Sequence, residues 1–238
     1  MSKWLKLVRR HLRRTCRRPI PAGRISPGIA LRCGVALAAA SVAVMGLVVN
    51  AAAASLLALS IAVYVFVYTI WLKRRTPQNI VIGGAAGALP PVIGWASVTG
   101  SVDFAPLVLF FVVFFWTPPH FSTLALRARA DYERAGVPML PVASGTRETR
   151  RQIAIYVLLL VPLSMVPWLV GFAGPLYGLS ALALGGGFLF CAWRVVRDRQ
   201  DAAGISQTND APARLTFRYS ILYLVLLFAM LSLDHVAR

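Results

Sequence analysis

Acidic side chains are scarce in this sequence. Its 238 residues include 8 Asp and Glu against 25 Lys and Arg, which gives a formal net charge of +17. Cysteine is also rare: Cys16, Cys33 and Cys191 are scattered and odd in number. Their spacing excludes a disulfide framework and a cysteine metal cluster. No internal repeat is obvious, and no stretch predicts a soluble domain.

Hydrophobic residues, by contrast, make up 58% of the chain, and only 14% of residues are charged. They occur in runs close to the length needed to cross a bilayer, which predicts an all-α multi-pass membrane protein. We count seven predicted transmembrane helices, at about Ile29–Val49, Ser55–Leu72, Asn79–Val98, Phe104–Ala125, Gln152–Ala173, Leu176–Trp193 and Phe217–Leu233.

The basic residues alternate with these spans. Lys and Arg fall in the N-terminal arm and in residues 73–75, 127–151 and 194–218, whereas the loops between carry none. This is the positive-inside pattern, and it predicts a cytoplasmic N-terminus and an outward C-terminus in a bacterial inner membrane. Nucleic acid is excluded as a partner, because phosphate binding would not require basic residues to alternate with spans.

Residues 1–28 form a basic arm and loop ahead of the first span. In residues 3–14, Trp4, Leu5 and Leu12 gather on one side of a helical wheel and Lys and Arg on the other. This pattern favours a cytoplasmic amphipathic helix on anionic membrane lipid, although an arbitrary basic segment fits as well. The proline-punctuated stretch 13–27 either clamps a diphosphate through its guanidinium groups or is a solvated loop, and composition alone favours the loop.

The stretch 73–91, KRRTPQNIVIGGAAGALPP, places a polar Asn79 at the start of a span. Gly83, Gly84 and Gly87 thin the helix, and Pro90–Pro91 should bend it. Such a helix suits the wall of a substrate cavity. Close helix packing beside a snorkelling basic cluster is the alternative.

Residues 116–141, WTPPHFSTLALRARADYERAGVPMLP, concentrate polar chemistry after a Phe/Val-rich span. An ionisable residue at membrane depth is by default a functional-site hypothesis, which singles out His120. The alternative is that His120 only bonds a carbonyl freed by the prolines. If the helix continues to Asp131, then His120, Leu124, Arg127 and Asp131 share one stripe. Of the remaining acidic residues, Asp198, Asp201 and Asp210 are expected to be solvated in a polar loop, and Asp234 to lie at the outer end of the last helix.

Four motifs together resemble a known family: RRTCRRPIPAGRI, KRRTPQNIVIGGAAGALPPVIGW, WTPPHF and DYERAGVPMLPV. In this order they are similar to the protohaem IX farnesyltransferases, or haem O synthases, among the UbiA-type intramembrane prenyltransferases. The resemblance implies a helical bundle that transfers the farnesyl group of farnesyl diphosphate to a vinyl group of haem B, with Mg²⁺ holding the diphosphate. It also implies that the protein contacts membrane lipid. The further partners that it implies are haem A synthase or oxidase assembly proteins.

The resemblance assigns roles residue by residue. Asp131 matches the second acidic motif and is implied as the metal ligand and a catalytic residue, with His120 and Tyr132 beside it. Glu133 is a possible second carboxylate for the metal, beside Asp131. Substrate-binding roles are implied for Arg14, Arg18, Lys73, Arg74, Asn79 and Arg127.

The chain departs from the family pattern at its start. Relatives have nine spans and an Asn/Asp-rich first motif, whereas MSKWLKLVRRHLR stands in that place here and contains no Asp or Glu. We therefore expect residues 29–238 to form a prenyltransferase domain that lacks the first two family helices. Two further hypotheses stay open: a catalytically impaired haem- or prenyl-binding membrane protein, and a related prenyltransferase with another aromatic acceptor.

Overall fold

The computed structural model describes residues 19–20, 22–72, 76, 79–134, 139–201 and 204–238. Apart from an isolated bridge between Gln200 and Ser206, its regular elements are helices. The amphipathic pattern predicted for residues 3–14 lies outside these ranges. The helices are α1 Pro27–Val44, α2 Ala51–Ala62, α3 Asn79–Gly87, α4 Pro90–Thr99, α5 Phe104–Arg127, α6 Arg129–Arg134, α7 Leu140–Ala143, α8 Gly145–Leu169, α9 Pro175–Val196 and α10 Ala211–Val236, with π-helical continuations of α1 at Met45–Val49 and of α2 at Val63–Trp71.

The prediction of seven membrane spans is confirmed. Seven helical stretches in the described part of the chain are long and apolar enough to cross a membrane. Their bounds lie within about four residues of the predicted ones, except that the fifth and the seventh spans begin seven and six residues earlier. The stretches are Pro27–Val49, Ala51–Trp71, Ile80–Thr99, Phe104–Arg127, Gly145–Leu169, Pro175–Val196 and Ala211–Val236.

The third span is broken where its proline pair predicted a bend. Helix α3 ends at Gly87, and α4 begins at Pro90, because a proline fits the first turn of a helix and disrupts its interior. The glycines of α3 allow close approach. A Cβ on Gly83 would meet the Tyr68 ring, and one on Gly84 would meet Thr117.

The core lies among α5, α8, α9 and α10. Their facing side chains form one apolar cluster, whereas the first span has no buried residue. Four long helices therefore make the buried half of the bundle, and α5 and α10 pack against each other within it. The fully buried members of the cluster include Ile153, Val157, Leu160, Tyr177, Phe188, Val195 and Tyr223.

The condition under which His120 and Asp131 would share one stripe, a continuous helix between them, is not met. Helix α5 ends at Arg127, and Ala128 leaves the helical region with φ −96° and ψ 11°. The short helix α6 then starts again, as the N–H groups of Asp131 and Tyr132 bond to the carbonyl of Ala128. The helix is therefore interrupted between Arg127 and Asp131, so the two do not lie on one stripe of a single helix.

Asp234 near the end of α10 joins two helices at the end of the bundle opposite the basic residues. The sequence places it at the end of the last helix, and the structure shows that it is buried there, with 4% of its surface exposed, and paired with Arg238 at 3.3 Å. Its carboxylate accepts hydrogen bonds from the backbone N–H groups of Gly174 and of Tyr177, at the start of α9. A carboxylate there satisfies N–H groups that have no partner within the helix and complements the helix dipole.

We therefore expect Asp234→Ala to lower the free energy of unfolding by about 2 kcal/mol, the upper range for loss of a helix cap. Unfolding in mixed micelles measures the change. Glu133→Ala is the control, since Glu133 is exposed and makes no hydrogen bond or ion pair within the described part of the chain. Equal stability of the two variants would contradict the capping role.

Candidate active site

A groove of about 410 Å³ runs between α5 and α10. It is almost wholly apolar and aromatic, and one ionisable side chain, His120, lies in its wall. The volume is within the range of small-molecule sites, whose walls are typically hydrophobic with a few polar groups. The lining residues are Trp116, His120, Phe217, Ile221, Leu224, Val225 and Phe228.

Helical periodicity explains why these side chains share the groove. Along α5, Trp116, His120 and Arg127 are four and seven residues apart, which places them within about 40° of each other around the helix. Along α10, the stripe from Phe217 to Phe228 has spacings of three and four. The groove therefore follows from two facing stripes.

His120 is held by α10 on one side of the groove. Its Nδ1 lies 2.8 Å from Ser220 Oγ, and its ring stacks on Trp116 and Phe217 with centroids 4.4 and 4.7 Å away. Trp116 Nε1 donates to the Ser220 carbonyl at 2.7 Å. The alternative in which His120 only bonds a carbonyl freed by the prolines is therefore wrong, because its partner is a serine hydroxyl on another helix.

A polar cavity of about 400 Å³ lies at the basic end of α5 and α10, lined by Arg127, Asn209, Asp210 and Arg214. We call it the basic mouth. Asn209 and Asp210 both adopt the left-handed region, with φ of 53° and 52°, just before α10 begins. The Arg214 guanidinium donates to the Asn209 carbonyl and so packs against this turn. Two guanidinium groups around a cavity suit an anionic ligand group.

A buried cluster of ion pairs lies next to the basic mouth and shares Asp210 with it. Arg150 Nη1 donates to Asp198 Oδ2 and Arg150 Nη2 to Asp210 Oδ1, both at 3.0 Å, and Thr208 Oγ1 donates to Asp198 at 2.6 Å. The prediction that Asp198 and Asp210 are merely solvated is wrong, since their side chains are 1% and 22% exposed. Burial raises the pKa of the Asp210 carboxyl, and the Arg150 guanidinium offsets part of that rise.

The predicted site residues separate into three groups. His120 lines the groove and Arg127 lines the basic mouth. Asp131 and the half-buried Tyr132 lie on α6, beyond the turn at Ala128, where Asp131 pairs with Arg134 at 2.8 Å. Asn79 begins α3. Its side chain lies outside the described residues, as do Arg14, Arg18, Lys73 and Arg74.

No group of three or more His, Cys, Asp or Glu side chains comes together in the described part of the chain, so a complete set of protein ligands for a metal ion is absent from those residues. Asp131 is half-exposed at the basic end. Mg²⁺ is commonly held by one or two carboxylates together with substrate phosphates and water. Asp131 therefore fits as one ligand of a metal that a phosphate substrate brings with it.

Two other clefts of similar size lie between α1 and α2 and between α8 and α9. The first is lined by small aliphatic residues and Ser55, and the second by apolar side chains with Arg151 at its rim. Among the clefts lined by described residues, the groove is thus distinguished by an ionisable side chain at membrane depth beside a cationic mouth.

The α10 side of the site has no functional signal of its own in the local sequence. Arg214, Phe217 and Ser220 acquire a role only through their pairing with α5, and helix pairing is not encoded in local periodicity. The signal that could have found them is the stripe Phe217, Ile221, Val225 and Phe228, which begins one turn after Arg214.

Known proteins are similar to this chain both in sequence and in fold. The chain is 61% identical to "Protoheme IX farnesyltransferase" of Acidiphilium cryptum over 94% of its own length and 71% of the relative's. It is 59% identical to the protein of the same name from Granulibacter bethesdensis, over 94% and 70%, and 57% identical to that from Gluconacetobacter diazotrophicus, over 93% and 70%.

The fold is similar to a solved structure of digeranylgeranylglyceryl phosphate synthase, with a TM-score of 0.76 over 99% of this chain and 80% of the other. At 15% identity this likeness concerns the fold alone. The UbiA prenyltransferase family profile matches residues 9–221. This chain, whose described part has seven spans and a groove between the fourth and the seventh, belongs to the UbiA prenyltransferase family.

Proposed function

We propose that this protein transfers the farnesyl group of farnesyl diphosphate to a vinyl group of haem B and thereby forms haem O. The observation that carries the proposal is an apolar groove with a histidine in its wall and two arginines at its mouth, in a chain 61% identical to a relative named protohaem IX farnesyltransferase. Both substrates have a large apolar body and an anionic end. The groove and the basic mouth match that polarity.

The reaction separates charge at the mouth. The allylic C–O bond breaks and its electron pair leaves with the diphosphate, so negative charge grows on that group. Fixed positive charge stabilises such a transition state most where water is excluded. Arg127 and Arg214 supply it at the basic mouth. The predicted contacts Arg14, Arg18, Lys73 and Arg74 would add to it, and Asn79 and Tyr132 would orient the substrates.

The farnesyl carbon then bonds to the terminal carbon of the vinyl group, and water adds to the adjacent carbon with loss of a proton. The electron-deficient farnesyl group must meet the vinyl group before it meets water. Apolar walls delay water. The faces of Trp116, Phe217 and Phe228 also attract positive charge.

Mg²⁺ would be held by Asp131, together with diphosphate oxygens and water, and would neutralise charge on the leaving group. The exposed ion pair with Arg134 leaves this carboxylate accessible at the basic end. Glu133, exposed on the same short helix, is a possible second carboxylate.

The same proposal includes location and partners. The basic end faces the cytoplasm of a bacterial inner membrane, since basic loops are retained on that side. Residues 29–238 make up the prenyltransferase domain, which has seven spans where nine are typical of the family. Haem O is a precursor for terminal oxidases, so haem A synthase and oxidase assembly proteins are the expected neighbours.

Filling the groove tests this assignment. We expect Val225→Trp to reduce kcat/KM for haem O formation by about 100-fold, because a small displacement of bound substrates has effects of that order. Val225 lines the groove and is 61% exposed. Leu222→Trp is the matched control, since Leu222 is 49% exposed on the same helix but does not line the groove. Equal activity of the two variants would place the reaction elsewhere.

A further inference from the structure

We infer that His120 Nε2 is an axial ligand of the haem iron, so that this histidine fixes the acceptor in the groove. The inference rests on the proposed function, because it takes haem B as the ligand. It adds to that function a coordinate bond and therefore an orientation of the porphyrin.

The first step is the tautomer of His120. Ser220 Oγ lies 2.7 Å from the Phe217 carbonyl, which can only accept, so the serine proton points there. The Ser220 oxygen is then the acceptor for His120 Nδ1 at 2.8 Å, and Nδ1 carries the imidazole proton. In the neutral ring the lone pair therefore resides on Nε2.

The second step concerns the surroundings of His120 Nε2. No hydrogen bond to this atom is made within the described part of the chain, although the other ring nitrogen is bonded and the ring is half-buried. Stacking on Trp116 and Phe217 fixes the ring plane. A neutral imidazole whose Nδ1–H is bonded, whose ring cannot rotate freely and whose Nε2 is unused is the usual state of a metal-ligating histidine.

The third step is the choice of metal. Haem iron is commonly held by a single histidine, whereas Zn²⁺ needs three or four protein ligands. Of the seven residues that line the groove, His120 alone has an atom that binds iron well. The others are Trp, Phe, Ile, Leu and Val, which suit the faces and edges of a porphyrin.

The coordinate bond sets the direction of the substrate. Arg127 is seven residues beyond His120, about 10 Å further along the helix axis. The porphyrin can therefore hold its iron at His120 while one edge reaches the basic mouth, where the diphosphate is proposed to bind. The vinyl group that reacts has to lie at that edge, because the farnesyl carbon to which it bonds is attached directly to the diphosphate.

The test is the iron–histidine stretching band in the resonance Raman spectrum of the ferrous haem B complex. The full chain is purified without a polyhistidine tag. The sequence contains three histidines, so the double variant His11→Ala, His235→Ala leaves His120 as the sole one. We expect the band in the unmodified chain and in the double variant, its loss in His120→Gly, and its return when imidazole is added to that variant. A band that persists in His120→Gly without imidazole, or disappears from the double variant, overturns the inference.

The serine provides a second measurement. Ser220→Ala removes the acceptor of the Nδ1 proton, and we expect the haem dissociation constant to rise about 10-fold, with a shifted band. Ser232→Ala is the matched control, since Ser232 lies on the same helix and its hydroxyl also donates to a carbonyl, that of Phe228. Equal affinity and equal bands in the two variants would contradict the role of Ser220.

Haem O formation, measured in parallel on the unmodified chain, separates this inference from the proposed function. If haem O forms while the iron–histidine band is absent, axial ligation is wrong and the transferase function stands. If the band is present but no haem O forms, His120 binds iron and the transferase function is wrong.

Discussion

Arg150→Ala is expected to lower the free energy of unfolding by about 3–5 kcal/mol, because it leaves two carboxylates of a buried cluster without their cation. The Arg150 side chain is 3% exposed, and its guanidinium bonds Asp198 after α9 and Asp210 before α10. A single side chain of α8 thus joins three helices beneath the basic mouth. Loss of this link should also reduce activity through displacement of Arg214.

The next residue along the chain provides the control. Arg151 is 73% exposed and lies 3.7 Å from Glu148 in a surface pair. Arg151→Ala should change stability by less than about 1 kcal/mol, as is usual for exposed ion pairs. Unfolding of both variants in mixed micelles gives the comparison. Similar losses in the two would show that the buried cluster does not hold the helices together.

Asp131→Ala is expected to reduce farnesyl transfer by about 100-fold or more, while haem binding is largely retained. The carboxylate is proposed to hold the metal that neutralises the leaving diphosphate, and loss of one transition-state contact of this kind commonly has effects of that size. Because haem is proposed to bind along α5 and α10, its affinity should not depend on α6. Haem titration and product formation in the same preparation separate the two effects.

Glu148→Ala is a close control for Asp131→Ala. Glu148 pairs with Arg151 three residues later, as Asp131 pairs with Arg134, and their side chains are 38% and 39% exposed. The two variants remove equivalent exposed charges at the same end of the bundle. Unimpaired turnover in Asp131→Ala would show that the metal-ligand assignment is wrong, and equal loss in both variants would indicate a general effect of charge.

The helical framework could be predicted because its signals are local. Seven apolar runs give seven spans, and Pro90–Pro91 marks the break between α3 and α4. The break at Ala128 could not be predicted in this way. Alanine and arginine favour helix on both sides of it. The turn arises where the chain leaves the apolar bundle, which no residue in the sequence marks.

The site could be predicted only in part, because contacts between distant parts of the chain leave no local signal in the sequence. His120 is conspicuous because an ionisable residue is rare at membrane depth. Asp198 and Asp210 were misinterpreted because their loop is polar in composition, whereas their burial depends on Arg150, about 50 residues earlier. Long-range pairing also hid Ser220, whose hydroxyl becomes informative only once α10 is placed beside α5.

The most direct test of the central claim is to measure haem O formation by the purified 238-residue chain. The chain is reconstituted in liposomes with haem B, farnesyl diphosphate and Mg²⁺, and the product is identified by mass spectrometry. We predict farnesylated, hydrated haem in a reaction that stops when Mg²⁺ is chelated. A folded chain that binds haem B yet yields no haem O, or that farnesylates an aromatic quinone precursor instead, would contradict the account.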